Sequence, residues 1–109
     1  MHVIIWSFQA KAGLETDFER VYGPDGALAR LFRNGAGYLR TDLMRDLDTP
    51  GHYLILDWWD QPESFHAFRR QWETEYLALD RQCDNVRELE VSIGSFVTVD
   101  SLTVPACAG

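Results

Sequence analysis

The chain has 109 residues, of which 46% are hydrophobic, 13% aromatic and 25% charged. This composition is typical of one compact globular domain and excludes a disordered or collagen-like chain. Ten Lys and Arg residues against 17 Asp and Glu residues give a net charge of -7, which is the wrong sign for a surface that collects phosphates or anionic lipids. We therefore expect neither nucleic acid nor a membrane as a main partner.

The N-terminal apolar run, Val3 to Trp6, has no basic segment before it and no small-residue cleavage site after it. We therefore expect neither a signal peptide nor a membrane span, and we predict a cytoplasmic protein. Cys83 and Cys107 are too few and too far apart in sequence for a disulfide framework or a zinc site, and a reducing compartment keeps them as thiols.

The N-terminal part of the chain predicts one strand followed by a broken helix. Residues 2–10 alternate as a strand does, and one face carries Ile4, Trp6 and Phe8. From Leu14 to Tyr22 the apolar residues recur at helical spacing. The sequence Gly-Pro-Asp-Gly at 23–26 interrupts this helix, and a helical stripe then resumes until Phe32.

The rest of the chain predicts a hairpin, a long helix and a last strand. Residues 38–46 and 53–59 alternate and are separated by Asp-Thr-Pro-Gly, which favours a hairpin. Pro62 opens the longest helical pattern, whose apolar stripe comprises Phe65, Phe68, Trp72, Tyr76, Leu79 and Cys83. Residues 86–99 alternate again, with a bulge predicted at 94–95.

The element order β-α-β-β-α-β predicts an α+β fold of the ferredoxin-like type with an antiparallel sheet. We predict one domain, residues 1–99, followed by a C-terminal tail, residues 100–109. Helices cover one face of such a sheet, yet the third strand places Leu54, Leu56 and Trp58 on the other face. The economical cover is a second copy of the same sheet, so we predict a homodimer.

Three short motifs carry a family resemblance. They are Gly37-Tyr38-Leu39, Tyr-Leu-Ile-Leu-Asp-Trp-Trp at 53–59 and Glu-Ser-Phe-His-Ala-Phe at 63–68. Together they resemble the antibiotic biosynthesis monooxygenase family of dimeric α+β barrels, over about residues 2–99. The resemblance implies that fold, and its motifs identify the fold better than the chemistry.

The resemblance also suggests functional positions. Family oxygenases that act on aromatic polyketides carry on the third strand a Trp, an Asn four residues before it and a Tyr six residues after it, which correspond here to Trp59, Ile55 and Phe65. The related haem-degrading monooxygenases carry an Asn on the first strand and a Trp and a His on the second helix, and the matching positions here are Trp6, Phe68 and Ala78. Since Ala78 cannot ligate iron, the resemblance implies no haem, and we expect no cofactor.

Asp57 is the most informative polar residue, because it shares a strand face with Ile55 and Trp59 and so points toward the helix layer. Desolvation by neighbouring Trp side chains raises the pKa of such a carboxyl and makes Asp57 a candidate base for a phenolic or enolic substrate, which then passes an electron directly to oxygen. The alternative is a structural acceptor bonded to Tyr22, to an Arg or to the backbone of the broken helix. Asp57 and Trp59 are the candidate catalytic residues.

A set of aromatic side chains is expected near Asp57. If the break at 23–26 leaves a gap under the helices, these side chains line a pocket for a small apolar or aromatic molecule. With the Trp of the third strand, the set comprises Trp6, Phe8, Tyr22, Trp59, Phe68 and Trp72. The alternative is that these side chains form only core.

The remaining Ser, His and Cys residues give little indication of a catalytic or metal-binding role. Ser7 has no adjacent base in the sequence pattern, and His52 beside a turn has no acidic or sulfur ligand at metal-ligand spacing. His66 falls on the helix side away from the apolar stripe, so we expect it to be exposed, whereas Cys83 falls on the buried side, where a thiol is usually inert. We predict no metal site and no hydrolase, kinase or nucleotide-binding activity.

The sequence and the resemblance together favour a cofactor-independent monooxygenase that acts on a small aromatic or polyketide-like compound. Two alternatives stay open. An isomerase or cyclase on the same scaffold needs the same base and pocket but no oxygen, so oxygen uptake separates the two. A non-catalytic homodimer that only binds a small ligand, or serves a structural role, is favoured by a filled core where we expect a pocket.

Overall fold

Residues 1–104 are described by the structure, a computed structural model of the chain. The strands are β1 (His2–Ala10), β2 (Tyr38–Arg45), β3 (His52–Trp59) and β4 (Arg87–Val97). The helices are α1 (Glu15–Tyr22), α2 (Ala27–Phe32) and α3 (Pro62–Cys83), and a 3-10 turn at Asp84–Val86 joins α3 to β4. Cys107 lies outside the described residues.

The strands form one four-stranded sheet in the order β2-β3-β1-β4, and every neighbouring pair is antiparallel. Helices α1 and α2 lie in the connection between β1 and β2, and α3 lies in the connection between β3 and β4. This arrangement confirms the predicted ferredoxin-like α+β fold. The edge strands are β2 and β4, whereas β1 and β3 are paired on both sides.

The first connection is a broken helix, as predicted. Helix α1 ends at Tyr22 and α2 begins at Ala27, and between them the Gly26 N–H donates to the Gly23 carbonyl at 2.9 Å. A side chain at Gly26 would collide with the carbonyl oxygen of Val21, so only glycine fits this close approach of the backbone.

Helix α3 begins at Pro62, which suits a first turn because that position needs no backbone N–H donor. Trp72 has non-helical dihedral angles, φ -114° and ψ 20°, so α3 consists of two helical segments that meet at a kink. The segment after the kink carries Tyr76, Asp80 and the buried Cys83. The kink therefore divides the helix that covers the sheet.

The alternation of β3 sorts its side chains onto two faces. Tyr53, Ile55, Asp57 and Trp59 are buried on the face that the helices cover. Leu54, Leu56 and Trp58 are only half-buried on the opposite face, which we call the open face. This division is the one that the alternating sequence predicts.

The edge strands contain three register irregularities, two in β4 and one in β2. Ile5 pairs with Gly94 and Trp6 with Ser92, so Ile93 is one extra residue of β4, one position before the predicted bulge. In β2, Tyr38 pairs with Trp59 and Arg40 pairs with Trp58, so Leu39 has no partner. This bulge in β2, which the sequence pattern did not predict, places Tyr38 on the same face as Thr41.

Within residues 1–104, no helix combines the length and the apolar character that crossing a bilayer requires.

Candidate active site

A cavity of about 30 Å³ lies between the sheet and the helix layer. A volume of this size holds about two water molecules. Five of its twelve wall residues are aromatic, namely Trp6, Phe8, Tyr22, Phe32 and Tyr76, and three are aliphatic, namely Leu28, Ala29 and Ile55. Four polar side chains reach the same space, namely Thr41, Asp57, Asp80 and Glu90. The structure thus has a polar group inside an aromatic pocket, but the pocket is smaller than an aromatic substrate.

Asp57 provides the buried carboxyl of this cavity. Its residue is 6% exposed, and Thr41 Oγ1 donates a hydrogen bond to Asp57 Oδ1 at 2.7 Å. The two residues are opposite each other in the ladder between β2 and β3. Burial raises the pKa of Asp57 to about 6, although the hydrogen bond from Thr41 acts in the other direction.

The partner of Asp57 differs from those that the sequence suggested. Tyr22, an Arg and the backbone of the broken helix were the expected partners of a structural Asp57. The Tyr22 hydroxyl instead donates to the Cys83 carbonyl at 3.2 Å, and Thr41 is the group that contacts the carboxyl. The expectation was wrong because it considered only the helix layer, whereas the partner comes from the neighbouring strand.

Thr41 has a second partner, Tyr38. The hydroxyl oxygens of Tyr38 and Thr41 lie 2.6 Å apart. Burial raises the pKa of Tyr38, so its hydroxyl stays protonated. Sequence reasoning named Tyr38 only as part of a family motif and did not predict this contact, because simple alternation places Tyr38 and Thr41 on opposite faces of β2. The side chains of Tyr38, Thr41 and Asp57 therefore form one hydrogen-bonded row.

The mouth of the cavity lies between α3 and the edge strand β4. Arg87 Nη1 is 3.3 Å from Asp80 Oδ1 and 2.7 Å from Glu90 Oε2, and it donates to the Tyr22 hydroxyl at 3.1 Å. The guanidinium also lies over the Phe8 ring, 5.6 Å from the ring centre. One cation thus joins α1, α3 and β4 around the mouth.

The predicted aromatic set divides into two groups. Trp6, Phe8 and Tyr22 line the cavity together with Asp57. Trp59, Phe68 and Trp72 lie outside its walls. Trp59 is 0% exposed, and rings that surround it belong to Phe32, Tyr38, Phe65 and Phe68. Within residues 1–104 its indole N–H has no hydrogen-bond partner.

Two further expectations about single residues agree with the structure. His66 is exposed on α3. Cys83 is buried, and burial raises the pKa of its thiol. Among the described residues, no group of three His, Cys, Asp or Glu side chains has the arrangement of a metal site.

A polar cluster on the open face contradicts the expectation that Ser7 has no adjacent base. Ser7 Oγ lies 2.6 Å from His52 Nε2, and His52 Nδ1 lies 2.8 Å from Asp46 Oδ2. Serine hydrolases use the same order of groups. Here, however, Ser7 lies on the inner strand β1, opposite Leu54 on one side and Val91 on the other. Its backbone N–H therefore serves the sheet rather than an oxyanion hole.

Comparison with known sequences gives one match. The sequence model of the family described as antibiotic biosynthesis monooxygenase matches residues 1–76 of the chain. No curated protein matches it.

Solved structures with the same fold include oxygenases. A variant of SnoaB, a cofactor-independent oxygenase from Streptomyces nogalater, is 20% identical, with a TM-score of 0.75 over 93% of this chain and 95% of that chain. A Deinococcus radiodurans protein assigned to the antibiotic biosynthesis monooxygenases is 16% identical, with a TM-score of 0.74 over 97% of this chain and 100% of that chain.

A third similar structure holds a porphyrin. A variant of MhuD, with two manganese protoporphyrin IX molecules bound per active site, is 17% identical, with a TM-score of 0.66 over 95% of this chain and 100% of that chain. At these identities the likeness shows the fold alone, and the chemistry has to be argued from the site.

Proposed function

Because the chain belongs to the antibiotic biosynthesis monooxygenase family, we propose that it is a cofactor-independent monooxygenase that acts on a small aromatic or polyketide-like compound. One observation carries this proposal: the carboxyl of Asp57 lies in an aromatic cavity, and burial raises its pKa to about 6. A base whose pKa lies near the working pH, inside an apolar pocket, is suited to take a proton from a phenol or an enol.

The raised pKa brings Asp57 closer to the acidity of such substrates. A phenol has a pKa of about 10, so proton transfer to an ordinary Asp carboxylate is unfavourable by a factor of about 10⁶. With the pKa of Asp57 at about 6, the same transfer is unfavourable by a factor of about 10⁴. The resulting anion is electron-rich and gives electrons to oxygen directly, so neither a flavin nor a metal is needed.

The residues of this chain do not fit a haem. The haem-degrading relatives in the resemblance use a His at the position of Ala78, and Ala78 is exposed on α3 and has no ligating atom. The proposed reaction therefore takes its electrons from the substrate.

Substrate binding requires the pocket to widen. An aromatic molecule needs more space than about two water molecules occupy, and the present cavity offers no more than that. The wall residues Phe32 and Tyr76 belong to α2 and to the part of α3 after the kink at Trp72. We propose that these two segments move outward to admit the substrate, while Asp57 stays fixed in the sheet.

Trp59 enters the proposal as a packing partner of the pocket. It is fully buried and packs edge-on against Tyr38 and Phe32, with ring centres 5.3 Å and 6.0 Å away. Phe32 is a wall of the cavity, so Trp59 holds that wall from behind. Trp59, which matches the family Trp, is therefore proposed to shape the pocket rather than to contact the substrate.

The runner-up is an isomerase or cyclase that uses Asp57 without oxygen. A specific observation favours it: Ile55 lines the cavity at the position where the oxygenases of the resemblance carry a polar Asn. Removal of a proton from an enolisable substrate needs the base alone, whereas oxygen transfer in those relatives uses further polar groups.

Oxygen uptake by the purified chain separates the two reactions. A set of neutral hydroxynaphthalenes, such as 1,8-dihydroxynaphthalene, is incubated with the protein in a closed cell with an oxygen electrode. The monooxygenase proposal predicts oxygen consumption that scales with protein concentration, and products that contain label from ¹⁸O₂. Conversion of substrate without oxygen loss supports the isomerase, and binding without conversion supports the non-catalytic alternative.

We also propose that the open face is covered by a second copy of the chain, which makes the active unit a homodimer. Four apolar side chains on this face are between 44% and 58% exposed, namely Met44, Leu89, Val91 and Phe96. Contiguous apolar surface of this kind is rare on monomers. The Ser7, His52 and Asp46 side chains on the same face satisfy one another, so covering them leaves none of these groups unpaired.

Two further expectations belong to this proposal. The domain boundary at residue 99 is supported by the end of β4 at Val97 and by Val99 and Leu102, which are at least 90% exposed. The cytoplasmic location is supported by Cys83, which is a buried free thiol.

A further inference from the structure

A row of oxygen atoms leads from the cavity to the edge of the sheet. Thr41 Oγ1 lies 2.7 Å from Asp57 Oδ1, and Tyr38 Oη lies 2.6 Å from Thr41 Oγ1. Asp57 and Thr41 are each 6% exposed, whereas Tyr38 is only partly buried at the start of the edge strand β2. The row therefore runs from the interior of the protein toward its margin.

We propose that Thr41 and Tyr38 form a proton relay that carries the proton taken up by Asp57 out of the pocket. This inference rests on the proposed role of Asp57 as the base. A buried base has to lose its proton before the next turnover, and a substrate that fills the cavity blocks the way past Asp80 and Glu90. That mouth lies beside β4, and the relay ends on β2, at the opposite edge of the sheet.

The hydrogen-bond inventory of the three groups allows the relay to work in both protonation states. An ionised Asp57 only accepts hydrogen bonds. Thr41 therefore donates its single hydroxyl hydrogen to a bond with Asp57 and accepts a hydrogen bond from Tyr38. A protonated Asp57 donates to Thr41, which then donates to Tyr38. The direction of the row thus reverses as one proton passes, without any change in the positions of the heavy atoms.

The transfer consists of four proton steps and no electron step. The O–H bond of the substrate breaks and an O–H bond forms on Asp57. That proton then moves to Thr41 Oγ1, while the proton of Thr41 moves to Tyr38 Oη and the proton of Tyr38 moves to a solvent water. Before this transfer the hydroxyl groups of Thr41 and Tyr38 rotate so that both donate outward, and the transfer itself then restores the arrangement of the ionised state.

The surroundings keep the row neutral between transfers. Tyr38 lies near Arg33 and Asp42, whose opposite charges offset each other, and burial keeps its hydroxyl protonated. On the cavity side, the titratable groups that share the cavity with Asp57 are Tyr22, Tyr76, Asp80 and Glu90, and Tyr76 of α3 is close enough to interact with the charge of Asp57. Burial raises the pKa of Tyr76 to about 12, so it is neutral at working pH and does not compete for the proton.

Carbon-13 NMR of the labelled Asp57 carboxyl tests the relay on the full chain with naphthalene, which has no ionisable group, added to fill the pocket. In the wild type we expect one resonance that moves smoothly through the titration, because the proton exchanges rapidly with solvent. Tyr38→Phe keeps the ring and the bond between Thr41 and Asp57 but removes the outer hydroxyl. We expect exchange at Asp57 to slow by at least about tenfold, seen as broadening or splitting of the resonance at the midpoint.

Matched variants distinguish the loss of proton transfer through Thr41 and Tyr38 from a change in side-chain packing. Tyr53→Phe removes a hydroxyl from the same sheet face that donates to Glu19 at 2.6 Å, and it should leave exchange at Asp57 unchanged. Thr41→Val should slow exchange and raise the pKa of Asp57, because the bond from Thr41 lowers that pKa. Thr41→Ser should restore both properties. This pair decides the question even if Tyr38→Phe folds poorly.

Exchange in Tyr38→Phe and Thr41→Val as fast as in the wild type would overturn the relay, since the proton then leaves through the cavity. The outcome is independent of the proposed reaction. Slow exchange in both variants, together with no oxygen uptake from hydroxynaphthalenes, would retain the relay and reject the monooxygenase. Oxygen uptake together with proton exchange as fast as in the wild type would support the monooxygenase and reject the relay.

Discussion

The two faces of the sheet are formed by the same strands but differ in how far their side chains are exposed. On the helix-covered face, Tyr53, Ile55 and Trp59 of β3 are at most 5% exposed. On the open face, Leu89, Val91 and Phe96 of β4 are between 44% and 58% exposed. Strand β3 itself carries large apolar side chains on both faces, and those on the open face, Leu54, Leu56 and Trp58, are half-buried rather than buried, so the difference within this strand arises from the helix cover.

The two faces also differ in whether a reaction is possible on them. Among residues 1–104, only the helix-covered face combines a cavity with a desolvated carboxyl, and only there is the pKa of a carboxyl raised to about 6. The polar cluster of Ser7, His52 and Asp46 on the open face is internally satisfied. In the proposed dimer this satisfied cluster contributes to packing. Asp57, by contrast, has a single hydrogen-bond donor, Thr41, among residues 1–104 and is the group suited to react.

The largest expected effect compares adjacent tryptophans on opposite faces. Trp59→Ala removes a fully buried ring from the helix-covered face and should lower the free energy of unfolding by about 3 to 5 kcal/mol. Trp58→Ala removes a half-buried ring from the open face and should cost less than about 2 kcal/mol at low chain concentration. Urea denaturation of both variants measures this difference, and equal losses would show that the two faces do not differ as described.

The next effect concerns the open face alone. Trp58→Lys places a charge on that face, and sedimentation at micromolar concentration should shift from twice the chain mass of 12.5 kDa to the single chain mass. Val91→Lys, at a position 44% exposed in the single chain, should give the same result without disturbing the fold.

His66→Ala on the helix surface serves as the control for the two Lys variants, because His66 is exposed, and should leave mass and stability unchanged. A wild-type chain that sediments at 12.5 kDa would reject the dimer.

A smaller effect follows from the raised pKa of Asp57. Between the model-peptide value of 3.8 and about 6, the folded chain binds more protons at this group than the unfolded chain does. The free energy of unfolding therefore falls as pH rises through this window, by about 3 kcal/mol from Asp57. In Asp57→Asn this pH-dependent fall in the free energy of unfolding is absent. The stability of the variant relative to the wild type should therefore rise between pH 4 and pH 7 in urea denaturation. Parallel pH profiles would contradict the raised pKa.

Most of the fold was predictable from the sequence, because alternation and helical spacing report directly on which side chains are buried. The inward direction of Asp57 followed from its place between Ile55 and Trp59 on β3, and the broken helix followed from the Gly-Pro-Asp-Gly sequence. These features depend on local spacing, which a single sequence contains.

The partners of the site residues were not predictable in the same way. The relay residue Tyr38 reaches the helix-covered face only through the bulge at Leu39, and one extra residue inverts the face that alternation assigns. Asp46 meets His52 because the turn between β2 and β3 brings it back beside the strand. The cavity volume depends on how the aromatic side chains pack, which their spacing does not determine.

The central claim, that Asp57 is a reactive base and not a structural acceptor, is tested most directly by Asp57→Asn at pH 8. The rate per folded molecule is measured by oxygen uptake with 1,8-dihydroxynaphthalene, and the free energy of unfolding is measured on the same preparation. The account predicts a rate lower by about 10² to 10⁴, with stability equal to or above that of the wild type, because the ionised carboxylate is costly to bury. An unchanged rate per folded molecule together with a clear loss of stability would contradict it.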